Sequence, residues 1–223
     1  EVKRLFSDRA AIRAMLLVEG ALAKVQGQAG VIPEISAAAI HRASLEVQID
    51  PAALAQETAQ NGVPVPALVA AFRSEMKAPE HAQYVHWGAT SQDIMDTALM
   101  LRLRQVLVLL ERDVRAVLGA LAGLAQEHAH TVMAARTWGQ HATPTSFGAV
   151  AASWGAPLAD LLDGLPALRD SAQLVSLSGA AGTASALAVG ASAAQQRADL
   201  AAALGRAEPA CRWHPDRAPV LAI

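Results

Sequence analysis

The chain has 223 residues, of which 53% are hydrophobic and 17% are charged, a balance that supports a buried core and excludes intrinsic disorder. Its 18 lysines and arginines stand against 20 aspartates and glutamates without forming a basic stripe, so nucleic acid is not expected as a partner. The single cysteine, Cys211, cannot form an internal disulfide or a Cys/His cluster, which argues against bound zinc and fits a reducing cytoplasm.

The composition predicts helices. Alanine, the strongest helix former, is the most frequent residue, whereas aromatic residues make up only 4%. β-Branched residues form no alternating runs, and glycine and proline breakers fall at long intervals. We therefore predict an all-α protein, with a small N-terminal helical domain over residues 1–85 followed by part of a long-helix bundle over residues 86–223.

Several short helices are expected in the N-terminal part. Apolar residues recur at helical spacing from Asp8 to about Gly30, and residues 35–46 form a second helix. Asp50 followed by Pro51 has the pattern of an N-cap and first helical position, which predicts a third helix. A loop over residues 61–66, rich in glycine and proline, separates it from a further apolar stretch.

A much longer helix is expected from Ser91 to about His130, because this part of the chain has almost no breaker. Some 35 residues at 1.5 Å each would extend about 50 Å, which is longer than a small domain. Such a helix needs neighbours along its whole length. The sequence therefore predicts a bundle of long helices.

Two later stretches, residues 137–159 and 171–196, contain no charged side chain. Their length is compatible with membrane spans, but their glycine, serine, threonine and glutamine content disfavours that interpretation. No membrane partner is therefore expected. The N-terminal residues are also too charged for a signal peptide, so secretion is not expected. Burial between protein helices explains the two stretches better, and one chain has few helices to surround them, which predicts self-association.

The first polar cluster is His86-Trp87-Gly88-Ala89-Thr90-Ser91-Gln92-Asp93, at the predicted start of the long helix. Free backbone N–H groups and the helix dipole favour carboxylates at such a place. Thr90, Ser91 and Gln92 would add side-chain donors, which predicts an anionic ligand. The alternative is purely structural, with Ser91 as the helix cap and Asp93 favouring the first turn.

The second polar cluster runs from Arg136 to Gly148 and is predicted to be a loop that opens into a helix. Histidine is the side chain most suited to moving protons at neutral pH, so His141 is the candidate for proton transfer. Gln140 and Thr143 could bind a carboxylate, and Arg136 could offset its charge. The alternative is that His141, as a lone histidine, has only a structural role.

The remaining histidines and the glycine-rich segment give weaker signals. His81 and His86 are five residues apart and His128 and His130 are two apart, so neither pair has the helical spacing of metal ligands, and surface or hinge roles are expected. Residues 178–183 lack the lysine of a phosphate-binding loop, so ATP binding is not expected.

Together the two clusters resemble the first two signature regions of the fumarase/aspartase superfamily. The first region corresponds to residues 86–94 with Asp96-Thr97, and the second to residues 136–148. Residues 177–183 resemble the glycine-rich turn between the bundle helices of the family. The resemblance implies the fumarase/aspartase type of long-helix bundle, with its C-terminal part missing from these 223 residues.

Trp138 distinguishes this chain from the typical lyases of the family, which have Arg-Thr-His where this chain has Arg136-Thr137-Trp138. Because tryptophan cannot exchange protons, the chemistry that the typical lyases perform with that histidine is not expected here. The Trp138 variant with residues 140–144, together with residues 5–9 and 213–217, resembles the ring-closing cycloisomerases. This resemblance implies an intramolecular lyase that acts on a small anionic polycarboxylate, without metal or other cofactor, with His141 as its catalytic residue. The implied substrate-binding residues are Thr90, Ser91, Gln92, Arg136, Thr137, Trp138, Gln140 and Thr143.

The third signature of the superfamily, a Gly-Ser-Ser-x-Met-Pro-x-Lys loop, does not occur in these residues. Family members are commonly about twice as long, so we expect this chain to be a part of such a protein. The resemblance also implies a homotetramer whose active sites combine signatures from different subunits. An adenylosuccinate-type C–N lyase and a non-catalytic helical oligomerisation module remain as alternatives.

Overall fold

Helices form most of the chain, as predicted, in a computed structural model that describes residues 1–187, 192–210 and 213–221. Cys211 lies outside the described residues. The helices are α1 (Val2–Leu5), α2 (Asp8–Gln28), α3 (Glu34–Glu46), α4 (Pro51–Asn61), α5 (Val65–Met76), α6 (Pro79–Ala82), α7 (Ser91–Glu127), α8 (Phe147–Ala172), α9 (Ala193–Leu204) and α10 (Ala218–Leu221). Two strands, β1 (Val132–Thr137) and β2 (Gln140–Ser146), and two 3₁₀ turns, Ala180–Gly182 and Ser185–Leu187, complete the described elements.

The predicted helix limits agree closely with the structure. Asp50 is the N-cap of α4: its Oδ1 accepts a hydrogen bond from the Ala52 N–H at 3.1 Å, with Pro51 at the first helical position. The same helix ends at Gly62, whose φ of 74° is left-handed. One detail differs, because Pro66 lies in the first turn of α5 and not in the preceding loop, a position where its missing N–H costs nothing.

The chain divides into two compact units. The first consists of Glu1–Gln105 together with Asp170–Ile223, and the second is Val106–Arg169. Residues of α7 belong to both units. The division into compact units does not test the domain boundary that the sequence predicts after residue 85, and this boundary stays a prediction.

The first unit has an apolar core that α2, α3 and α5 build around one stripe of α2. Most of its buried side chains come from α-helices at helical spacing, and Leu177 and Leu187 join them from the chain after α8; their burial removes apolar surface from water and stabilises the packing. Among its fully buried large residues are Leu16, Leu22, Ile40, Leu68, Phe72, Ile94, Leu177, Leu187 and Leu200.

The second unit consists of the later turns of α7, the hairpin β1–β2 and helix α8. Glu111 of α7 accepts hydrogen bonds from Arg115 on the same helix and from Arg169 near the end of α8, which ties the two helices together. Gly148 lies where α8 begins, and a Cβ there would be 2.5 Å from the Ala125 carbonyl oxygen. Only glycine permits this close approach of α8 to α7.

The hairpin corrects the prediction that residues 136–146 form a loop. Trp138 and Gly139 occupy the turn with φ values of 48° and 75°, the combination of a tight hairpin turn. The strands pair antiparallel, and a register irregularity lies between Ala134 and Arg136. This small two-stranded sheet is an addition to an otherwise helical fold.

The second uncharged stretch, residues 171–196, is not a continuous helix. Residues 175–178 are buried in the first unit although they are irregular, because their polar groups bind side chains of α7. Positions 188–191 of this stretch lie outside the described residues. Among the helices that the structure describes, none combines the length and the apolar character needed to cross a bilayer.

Candidate active site

The first polar cluster forms the loop before α7 and the first turn of that helix, all within the first unit. His86 and Gly88 both have left-handed backbone conformations, with φ values of 66° and 71°. A Cβ at residue 88 would lie 2.8 Å from Leu187 Cδ2. Glycine therefore allows this loop to pack directly on the chain around Leu187.

The buried carboxylate of Asp93 holds the first polar cluster in place. It is fully buried and accepts four hydrogen bonds, one of them from the Thr90 N–H at 3.1 Å. The other three come from the Ser176 hydroxyl at 2.9 Å and from the N–H groups of Ser178 and Gly179 at 2.8 and 2.9 Å. Because four donors satisfy both oxygens, the charge is stable inside the core and fixes residues 176–179 against the start of α7.

The start of α7 keeps donors that the protein itself does not use. Asp93, the third residue of α7, accepts the N–H of Thr90, the residue before the helix, as the acidic residue of a capping box does. Thr90 and Ser91 are half-buried, and within the described ranges their hydroxyls have no hydrogen-bond partner. Two adjacent hydroxyls therefore lie at a helix N-terminus, a favourable place for a carboxylate, and their binding of substrate stays a prediction.

Gln92, the third residue predicted to bind substrate in this cluster, is held by a neighbour on the same helix. Its Nε2 donates to Oδ2 of Asp96 at 2.7 Å, one turn further along α7. Asp96 is 4% exposed. One of the two amide hydrogens of Gln92 is therefore used inside the protein, and the described residues provide no partner for the other.

His86 has a more specific position than the surface or hinge role expected for it. Its Nδ1 donates to Oε1 of Glu19 on α2 at 2.7 Å. Glu19 is 1% exposed, and its Oε2 has no hydrogen-bond partner among the described residues. Burial lowers the pKa of His86, but the hydrogen bond and the charge of Glu19, with a contribution from Asp93 and against Arg73, raise it above its ordinary value.

Gln26 supports the same loop from one side of α2. Its Nε2 donates to the Trp87 carbonyl at 2.9 Å and to Oε1 of Gln196 at 3.2 Å, and its side chain is fully buried. Glu19 and Gln26 are seven residues apart and so lie on one face of the helix. Two polar residues at this spacing within an apolar stripe were the sequence signal that could have identified the partners of residues 86 and 87.

The second polar cluster lies on the hairpin of the second unit. Arg136 is directly opposite His141, and Thr137 is opposite Gln140, so these four residues surround the turn at Trp138-Gly139. Cross-strand neighbours in a hairpin are close enough to act on one ligand. The structure thus places Arg136 beside His141 and Thr137 beside Gln140, and because consecutive strand residues point to opposite faces, the two pairs lie on opposite faces of the hairpin. Their role in substrate binding stays a prediction.

The hairpin residues are exposed in the isolated chain. Trp138 is 99% exposed, and His141, Gln140 and Thr143 are also open to solvent. The described residues contain no cluster of three or more histidine, cysteine, aspartate or glutamate side chains suited to a metal ion. The chemistry that this cluster can offer by itself is proton exchange at His141 and hydrogen bonding or charge at its neighbours.

Comparison with known proteins identifies the class. A family model described as a lyase matches residues 2–212. The chain belongs to this lyase family of the fumarase/aspartase superfamily. The match includes both polar clusters and the helices that carry them.

The chain is 40% identical over 218 residues to a 3-carboxy-cis,cis-muconate cycloisomerase of Pseudomonas aeruginosa, covering 97% of this chain and 47% of that protein. It is 41% identical over 184 residues to a nitrosuccinate lyase of Streptomyces davaonensis, covering 82% of this chain and 39% of the lyase. The crystal structure of the 3-carboxy-cis,cis-muconate lactonizing enzyme from Pseudomonas putida matches with a TM-score of 0.93 and 36% identity, over 99% of this chain and 50% of that one. The chain thus spans about half the length of these cycloisomerases.

Proposed function

We propose that this chain supplies the first two substrate-binding regions of a cycloisomerase that converts 3-carboxy-cis,cis-muconate to 4-carboxymuconolactone, a step of protocatechuate catabolism. The observation that carries the proposal is the likeness to the Pseudomonas aeruginosa cycloisomerase over 97% of this chain. Trp138 supports it, because a tryptophan stands where the lyases of the family have a proton-exchanging histidine.

The reaction is an isomerisation when substrate and product are written as free acids, and the ionised substrate takes up one proton as the carboxylate becomes the lactone. One carboxylate oxygen of the muconate forms a bond to a carbon of a double bond and closes a five-membered lactone. The electron pair of that double bond moves to the adjacent carbon, where a carboxylate stabilises it until a proton arrives. Preorganised hydrogen-bond donors around the carboxylates therefore provide the main stabilisation of the transition state.

The first region holds one carboxylate in this proposal. The hydroxyls of Thr90 and Ser91 and the remaining amide hydrogen of Gln92 are neutral donors at the positive end of a long helix dipole. The close packing beneath them, through Asp93, keeps their geometry fixed before the substrate binds.

The second region holds another carboxylate and delivers the proton. Gln140, Thr143 and Thr137 act as hydrogen-bond donors, and Arg136 supplies positive charge next to His141 on the opposite strand. Trp138 provides contact surface at the turn. His141 is the residue of this chain whose chemistry suits proton transfer at neutral pH.

The complete site, in this proposal, is formed by several copies of the chain, as a cytoplasmic homotetramer. Helices α7 and α8 of the second unit carry large apolar side chains that remain exposed, a surface that association would bury. These residues are Val108, Leu110, Val117, Trp154 and Leu161. Association would also cover the exposed hairpin and exclude water from it.

The direct test is an ultraviolet assay of the complete product of the gene with 3-carboxy-cis,cis-muconate. We expect loss of the diene absorbance without added metal or cofactor. Adenylosuccinate and a sulfonated muconate are the comparison substrates. Consumption of adenylosuccinate in place of carboxymuconate would reject the cycloisomerase assignment and favour the C–N lyase.

Complementation tests whether this chain contributes to an active site or only to assembly. The chain is mixed with a full-length Pseudomonas aeruginosa cycloisomerase that has been inactivated in its own first region. Recovery of activity in mixed oligomers is expected, because the chain brings an intact first region. Mixed oligomers without activity would favour a non-catalytic oligomerisation module.

A further inference from the structure

Residues 213–217 contact the first substrate-binding region at Asp96, a residue that has no role in the proposed function. Arg217 forms a bidentate ion pair with Asp96 of α7: Nη1 lies 2.6 Å from Oδ2 and Nη2 lies 2.9 Å from Oδ1. The Asp96 side chain is 5% exposed and that of Arg217 is 38% exposed. Two parallel hydrogen bonds between planar groups fix orientation as well as distance.

Arg217 is itself held in place by an aromatic anchor. Trp213 is 2% exposed, and its indole N–H donates to the Val175 carbonyl at 2.8 Å. The guanidinium carbon of Arg217 lies 5.5 Å from the centre of the Trp213 ring, within the range of a cation–π interaction. The arginine is therefore oriented from both sides, by the tryptophan and by the carboxylate.

The ion pair determines which side of the Gln92 amide faces inward. A carboxylate paired with a guanidinium in this way is ionised and only accepts hydrogen bonds. Gln92 must therefore turn its Nε2 toward Asp96, as the 2.7 Å contact shows. The amide oxygen then points away from Asp96, and the second Nε2 hydrogen takes a defined direction.

We propose that Arg217 is a positioning residue of the first substrate-binding region, which acts through Asp96 to fix the direction of the Gln92 amide. This inference rests on the proposed function, because it assigns the fixed amide to substrate binding. Without Arg217, the Asp96 carboxyl is free to rotate and no longer has a cation to keep it ionised; when it is protonated it can donate to the Gln92 oxygen, and the amide can turn over. The region then loses the donor that a substrate carboxylate needs.

The kinetic test compares Arg217→Met and Arg217→Lys with the unsubstituted protein, on the complete gene product. Arg217→Met raises the KM for carboxymuconate about ten-fold, with a smaller change in kcat, because a binding donor is lost. Arg217→Lys raises the KM less than Arg217→Met does, since lysine keeps the positive charge but not the two parallel hydrogen bonds of the guanidinium. The control, Arg42→Ala, removes a solvent-exposed pair with Glu46 and leaves both constants unchanged.

An unchanged KM in a folded Arg217→Met variant would overturn the proposal. If that variant does not fold, Arg217→Lys still tests the proposal. The lysine ammonium cannot form the two parallel hydrogen bonds of the guanidinium, so the KM of Arg217→Lys must rise, and an unchanged KM would overturn the proposal. A loss of thermal stability alone, with both constants normal, would identify a purely structural ion pair.

A second measurement does not require activity. Gln92 and Arg217 both bind Asp96, so their effects on the melting temperature should be coupled. We expect the shift for the double variant Gln92→Met/Arg217→Met to differ from the sum of the single shifts by about 2 °C or more. Additive shifts in melting temperature would reject the proposed action of Arg217 on Gln92 through Asp96. Coupled shifts together with no turnover of carboxymuconate by the unsubstituted protein would reject only the proposed function.

Discussion

Nδ1 of His86 lies 2.7 Å from the buried Oε1 of Glu19, across 67 residues of sequence, and this contact joins the first polar region to the helix that organises the N-terminal core. The imidazole of His86, which can gain or lose a proton, therefore lies in the loop that leads to Thr90 and Ser91. It also gives the region a dependence on pH that is independent of any ligand.

Glu19→Gln tests this pH dependence. The pKa of His86 in the folded protein is raised above 6.5, so the pair stabilises the fold fully below the unfolded pKa and less as pH rises through the folded one. Chemical unfolding of the unsubstituted protein and of the variant, from about pH 5.5 to 9, should therefore show a difference in unfolding free energy that declines with increasing pH. Glu80→Gln, at an exposed position near His81, is the control, and a difference that does not vary with pH for Glu19→Gln would contradict the assignment.

Asp93→Asn tests the anchor of the first region. The amide keeps the shape of the side chain but turns an NH₂ group toward donors that need an acceptor. We expect a loss of about 3 kcal/mol or more in unfolding free energy, measured with urea, because buried hydrogen bonds to a charged group are broken. Asp113→Asn, in an exposed pair with Arg112, should change it by less than about 0.5 kcal/mol.

Gly148→Ala tests the contact between α7 and α8. The added methyl group would collide with the backbone at Ala125 and Ala129, so the variant should lose about 1–3 kcal/mol of stability. Gly164→Ala, also in α8, meets no atom within 4 Å and should gain about 0.5–1 kcal/mol from helix propensity. Equal effects of the two substitutions in thermal unfolding would show that the helices do not approach each other closely.

His141→Ala tests the catalytic assignment. In the complete gene product it should lower turnover of carboxymuconate by about 10² or more, because the proton donor is lost. His130→Ala is the matched control, since this histidine is exposed in the same unit. An undiminished rate in His141→Ala would remove this residue from the mechanism.

Local signals in the sequence predicted the helices well, because their causes lie within a few residues. The pair Asp50-Pro51 starts α4 and Gly62 ends it, each through its own backbone preference. The hairpin was not predicted, since Trp138 adopts a left-handed φ that tryptophan rarely has and Pro144 is uncommon in strands. Here the pairing of two short strands outweighed local preference.

Long-range partners limited what could be predicted about the site. The polar clusters and their candidate donors were visible, whereas the roles of Asp93 and His86 depend on residues 67–86 positions away. Asp93 was expected only to favour a helix turn, yet it accepts hydrogen bonds from residues 176–179. A single sequence contains no measure of such distances, although two polar residues in the apolar stripe of α2 indicated that something buried required them.

The bonds from Asp93 to Ser178 and Gly179 also bear on how the protein is made. During synthesis the ribosome adds the whole second unit before Ser178 and Gly179. The Asp93 carboxylate therefore lacks these two hydrogen-bond donors while more than eighty further residues are added. Closing so long a loop is entropically costly, and the start of α7 should be among the last parts of the nascent chain to become rigid. Polypeptides released before residue 179 would keep this negative charge without its intended donors, and they should be ready substrates for cellular proteases.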